Sequence, residues 1–130
     1  MAERILDDAA DAVIYADRSG TIIRWNPAAT ALFGYSPAEA LGQSLDLIIP
    51  EHLRAAHWKG FEAALASGAM KLAGKPTLTR ALHKDGRKLY IEMTFALVRD
   101  SAGVVQGSVA MARDVTARVE RERAAKAAQN

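Results

Sequence analysis

The chain has 130 residues, 17 Lys and Arg against 15 Asp and Glu for a formal charge of +2, and is 50% hydrophobic and 25% charged. That is the size and composition of one globular domain, and so small a basic excess excludes the polycationic surface that grips phosphate backbones, so no nucleic-acid partner is expected. It has no cysteine, which excludes disulfides, thiolate-bound zinc, iron–sulfur clusters, thiol catalysis and photochemistry through a cysteine adduct.

No stretch approaches the roughly 20 apolar residues that cross a bilayer, and the acidic start MAERILDDAAD lacks the basic and apolar regions of a signal peptide. A cytoplasmic module with no membrane partner is expected. Its helical ends read as a piece of a longer parent protein.

Residues 3–11 place Ile5, Leu6, Ala9 and Ala10 on one stripe, which predicts a short amphipathic helix. AVIYAD and TIIRWN bracket the turn residues Asp17 and Gly20 and predict a hairpin. Asn26-Pro27 and Ser36-Pro37 each read as an N-cap followed by proline at the first helical position, with stops at Gly34 and Gly42. The apolar run Leu45, Leu47, Ile48 and Ile49 is expected in a loop that ends at Pro50.

A third helix runs from about Glu51 to Ser67 and carries Leu53, His57, Phe61 and Leu65 at four-residue steps, so His57 sits in an apolar stripe. TLTRALH and RKLYIEMTFALVRD flank a Lys84-Asp85-Gly86 turn. Leu89, Ile91, Met93, Phe95 and Leu97 alternate strictly and define one buried face. A second turn at residues 100–103 leads to VVQGSVAMARDVT, a last strand, and ARVERERAAKAAQN reads as a charged helix. The order β-β-α-α-α-β-β-β with flanking helices is an α+β domain with helices over one sheet face. The divisions are a flanking helix over 1–11, a central domain over 12–115 and a C-terminal helix over 116–130.

Four segments resemble PAS domains, and the resemblance spans residues 3–130: the opening DAVIYADRSGTIIRWNPAATALFGYSPAEALGQS, the helix after IIPEHLRAAH, the HKDGRKLYIEM hairpin, and ARDVTARVERE, which is similar to the Asp-x-Thr junction of that family. The resemblance implies a five-stranded antiparallel sheet cradling a cavity, with sensing in the cavity and output through the ends. It does not by itself determine the ligand.

Within the family, PEHLRAAHWKGFEAAL is similar to the helix that bears the proximal heme histidine of the rhizobial oxygen-sensor kinases, and that residue corresponds without a gap to His57. The same resemblance implies heme b as cofactor, with His57 as the metal ligand. Leu72, Met93 and Phe95 fall at apolar distal positions and Lys71 at a propionate partner. Phe61 belongs to the helix stripe of His57, and Met70, Met93 and Met111 are each candidates for a sixth iron ligand, although methionines in a cavity wall are mostly gap-fillers.

The sequence departs from those sensors at Thr77, where they carry a distal arginine, and loss of a charged donor there removes about 1.5–3 kcal/mol of stabilisation from bound oxygen. Carbon monoxide or nitric oxide would lose less. Ala63 and Ala64 replace bulky polar groups near the expected heme edge, for which Lys59, Lys75 or Arg80 are the substitutes at hand. His52, about 140° round the helix from His57, and His83, beside a turn, are expected at the surface. Trp58 is expected to pack under the sheet edge or against a flanking helix.

The functional expectation is a heme-binding sensor of a diatomic gas (O2, CO or NO) or of redox state. It would be a homodimer through the Ile5/Leu6 stripe and the terminal helix, signalling to its effector. The alternative is a PAS dimerisation or small-metabolite module in which His57 is a core residue bonded to a backbone carbonyl. No Ser-His-Asp set, phosphate loop or H-E-x-x-H motif occurs, so an enzyme is not expected.

Overall fold

The computed structural model of the chain describes residues 1–69 and 75–129. Asp17 closes the first hairpin, between β1 (Ala12–Asp17) and β2 (Ile22–Trp25). Its Oδ1 accepts from the Ser19 hydroxyl at 2.6 Å and from the main-chain N–H groups of Ser19 and Thr21 at 2.9 and 3.1 Å. These bonds hold the carboxyl below its usual range, the hydroxyl contributing most.

The helix starts follow from capping chemistry. α2 (Pro27–Phe33) begins at Asn26, whose Oδ1 accepts from Ala29 N–H at 3.0 Å. α3 (Pro37–Ala40) begins in a capping box between Ser36 and Glu39. The apolar run expected as loop is instead a 3₁₀ helix, Leu45–Ile48, because Ser44 caps it through Asp46 N–H. α4 (Glu51–Ser67) follows Pro50 and stops at Gly68.

The first helix, α1 (Ala2–Asp8), is shorter than its apolar stripe. Ala9 has already turned to extended backbone, and Ile5 is 62% exposed. What holds this end is Asn26, whose Nδ2 donates to the carbonyls of Leu6 and Asp11, both at 3.0 Å.

The C-terminal half contributes β3 (Thr77–Leu82), β4 (Lys88–Arg99), β5 (Val105–Asp114) and α5 (Thr116–Gln129). Among the described residues one five-stranded antiparallel sheet forms in the order β2-β1-β5-β4-β3. The first and last strands in sequence therefore meet at its centre. Ile14, Ile22, Phe33 and Ile91 are the largest side chains wholly buried between this sheet and the helices.

Candidate functional site

α4 crosses the inner face of the sheet and leaves a cavity of about 410 Å³ beneath it, a volume typical of small-molecule and cofactor sites. Leu53, His57, Phe61 and Leu65 form its helical wall together with Ala64. The floor is the alternating face of β4, namely Ile91, Met93, Phe95 and Leu97. Ser108 and Ala110 of β5 and Ile14 of β1 continue it. Small residues on β5 are what keep the space open.

Two anchors position α4. The Trp58 indole Nε1 donates to Asp46 Oδ1 at 2.8 Å, and Arg54 donates to the carbonyls of Ile49 at 3.0 Å and Asp46 at 3.2 Å. Both anchors lie on the 3₁₀ segment, so Arg54 and Trp58 turn one side of the helix to that segment and His57 falls on the cavity side. The His57 ring meets Trp58 edge-on at 4.7 Å between centroids and Phe61 at 6.0 Å.

His57 Nδ1 is buried and has no hydrogen-bond partner. Burial lowers the imidazole pKa below its ordinary value, and the Asp46 carboxylate opposes this in part. The ring is thus held neutral, with a lone pair rather than a second proton, which is the form that binds a metal.

Of the expected site residues, the structure brings His57, Phe61, Met93 and Phe95 to the cavity, and Arg80 also borders it. Met111 is not there. Ala110 and Ala112 face inward opposite Phe95 and Met93, so Met111 between them points to the outer face and is 47% exposed. Both alternate sets on β5 are apolar, and the larger residue is the outer one because the inner face has a cavity to leave room for. Thr77 pairs with Met93 across the β3–β4 ladder but does not line the cavity, and its hydroxyl donates to the Lys75 carbonyl at 3.4 Å. Met70, Lys71 and Leu72 lie outside the described residues.

Three further expectations change. Arg80 borders the cavity, but it alternates with the inward-facing Thr79 and Ala81 and its guanidinium lies over the Tyr90 ring on the outer face, 5.7 Å from the centroid, and not at a propionate position. Lys59 and Lys75 are exposed and do not line the cavity. The His83 side chain is only 16% exposed, seated on Gly34, where a Cβ would come within 2.5 Å of the imidazole. Of the two positions expected for Trp58 it takes the sheet edge and not a flanking helix, with its ring on Gly20 of the β1–β2 turn and its indole bonded to Asp46 of the 3₁₀ segment.

Sequence reasoning missed Asp46, Arg54 and Ser108. The parity of GSVAMARD relative to its small residues could have found Ser108. Nothing periodic links Asp46 to Trp58, because that contact joins separate elements.

At the C-terminal end of the sheet, Thr116 opens α5 by accepting from Tyr90 N–H at 2.9 Å through Oγ1. Val115 N–H donates to the Tyr90 carbonyl at 2.9 Å, and Asp114 Oδ1 receives Thr116 N–H at 2.8 Å. The helix is thereby sewn to β4.

A sheet that cradles an apolar cavity under one helix, with its last strand running into a C-terminal helix, is the arrangement of a sensory module. The family model described as PAS fold matches residues 1–115, and the chain belongs to the PAS family. It is 35% identical over 92% of its length to an uncharacterized protein of Azorhizobium caulinodans. It is 28% identical over 85% of its length to the oxygen sensor protein DosP of Escherichia coli, and 42% identical over 41% of its length to the sensor protein FixL of Bradyrhizobium diazoefficiens. The chain spans 16%, 15% and 10% of these proteins respectively. A PAS domain from Colwellia psychrerythraea superposes with a TM-score of 0.77 at 25% identity, covering 88% of this chain and 94% of that one. No helix among the described residues is long and apolar enough to cross a membrane.

Proposed function

We propose that this PAS domain binds heme b through His57 and senses a diatomic gas or redox state, signalling through α1 and α5 as a homodimer joined to an effector domain, without catalytic turnover. The observation that carries the reading is the buried, partnerless Nδ1 of His57 in the wall of an apolar cavity. A histidine retained only for packing satisfies its buried nitrogens, usually with a backbone carbonyl; this one does not. Similarity to the oxygen sensor protein DosP points the same way.

The residues fit the group in donor and walls. Heme, when bound, supplies an iron atom that takes a diatomic ligand or changes oxidation state. His57 offers a neutral imidazole, and Trp58 and Arg54 orient it by anchoring α4. Phe61, Met93 and Phe95 exclude water from the cavity, with the hydroxyl-bearing Thr79 and Ser108 also in its wall. Lys71 and Leu72 remain the resemblance-based partners for a propionate and the distal side. With the Arg80 guanidinium on the other face of the sheet, carbon monoxide and nitric oxide are favoured over oxygen, which gains most from a charged donor.

The test is a UV-visible spectrum of protein produced with a heme supply, wild type beside His57→Ala, before and after dithionite. A Soret band that His57→Ala abolishes or shifts supports the proposal and identifies the ligand. A colourless wild type that takes up no added hemin overturns it and leaves a dimerisation or small-metabolite module.

A further inference from the structure

We propose that Tyr90 is the positioning residue that couples the cavity wall to the output helix, with Arg80 of β3 and Arg123 of α5 sharing its aromatic ring. The inference rests on the cavity being the sensor and α5 the output, but not on which ligand the cavity holds.

The main chain of Tyr90 is a pivot. Its N–H and carbonyl are bonded to Thr116 and Val115, which determines where α5 starts. The start alone leaves the direction of the helix open. Direction is set by Arg123, seven residues and about 10 Å further along the helix, whose guanidinium carbon stands 4.8 Å from the Tyr90 ring centroid. That is within cation–π range.

The same ring is met from the other side of the ladder. Arg80 is the cross-strand partner of Tyr90, and its guanidinium carbon is 5.7 Å from the centroid. One step away on the inner face, Thr79 pairs with Ile91, and Ala81 pairs with Leu89. Thr79, Ala81 and Ile91 all line the cavity. A ligand that moves β3 against β4 therefore moves Arg80 relative to the Tyr90 ring. Two cations drawn to one ring also repel each other, so a change in the hold of Arg80 changes the hold of Arg123. Arg118 is engaged separately, 3.7 Å from Glu92 and 3.9 Å from Glu122.

Native-state hydrogen exchange of the α5 amides in the ligand-free protein tests this, with β1 and β5 amides as the reference for global stability. Arg123→Gln and Tyr90→Leu are expected to speed α5 exchange about two- to fivefold, the worth of an exposed cation–π contact, while Tyr90→Phe, which keeps the ring, behaves as wild type. Arg80→Gln is expected to shift α5 exchange although it touches no α5 residue in the contacts above, and to lose that effect in the Tyr90→Leu background. An Arg80→Gln variant with wild-type α5 exchange, or one with the same shift whether or not the ring is present, overturns the proposal. Should Tyr90→Leu fail to fold, the Arg80→Gln and Arg123→Gln double-mutant cycle decides: additive effects overturn the coupling and non-additive effects support it. Because every reading is taken without ligand, failure to take up hemin sinks the heme proposal alone.

Discussion

The outer edge of the Trp58 ring rests on the backbone of Gly20, so closely that a Cβ there would stand 2.2 Å from Cη2. Gly20 also has φ +79°, the left-handed region that side chains avoid. One turn residue between β1 and β2 thus determines how near α4 can lie to the sheet, and with it where His57 sits.

Gly20→Ala is accordingly expected to cost about 2–4 kcal/mol, left-handed strain plus displacement of the indole. Urea unfolding measures the loss. The same variant should bind hemin more weakly than wild type under conditions where both are folded, because the indole it displaces is bonded to Asp46 and neighbours His57. Unchanged stability would mean that Trp58 moves aside at no cost.

Asn26 is 3% exposed and joins three elements. Its Oδ1 accepts from Val13 N–H at 2.8 Å and caps α2 at Ala29, while Nδ2 holds the α1 end through Leu6 and Asp11. Asn26→Ala should cost about 2–4 kcal/mol, combining a lost cap with an orphaned buried N–H. Asn26→Asp keeps the two acceptor roles and loses both donations, so it should retain α2 yet free α1, seen as faster amide exchange confined to residues 2–8. Equal losses at α1 and α2 in both variants would refute this division of labour.

The pH dependence follows from His57. Its folded-state pKa lies below the ordinary 6.5 because burial disfavours the charged ring, so the unfolded chain binds the proton first. The contribution to stability is complete above the unfolded value and is lost as pH falls through the folded one. Asp17, Glu39 and Asp85, whose carboxyls are also lowered by their hydrogen bonds, act with the same sign at more acid pH. Urea midpoints of the heme-free protein should hold steady above about pH 7 and fall below 6.5, and His57→Leu should flatten the first part of that fall. A slope identical in both proteins would show that His57 is not buried in its neutral form.

Much of this architecture is legible in the chain because it is local. Asn26-Pro27 and Ser36-Pro37 announce their helices through capping groups adjacent in sequence, and the alternation from Leu89 to Leu97 identifies the cavity face of β4. The stripe of Leu53, His57, Phe61 and Leu65 likewise predicts which side of α4 meets the cavity. At Met111 against Ala110 the alternation carries no hydrophobic contrast, and only the small residues Ser108, Ala110 and Ala112 mark the cavity side of β5. At Arg80 the alternation with Thr79 and Ala81 is itself legible in the sequence and sends the guanidinium to the outer face.

The sequence alone determined the element order, the caps, the buried face of β4 and the presence of a histidine in an apolar helical stripe, since each depends on neighbours within a few residues. Tertiary structure decided the rest. Packing placed Trp58 on Gly20 and Asp46, seated His83 against Gly34, turned Met111 outward and brought Arg80 and Arg123 to one tyrosine ring. These relationships join residues 10 to 49 positions apart, and they arise only when the sheet closes around its cavity, since no periodicity along the chain encodes which distant faces will meet.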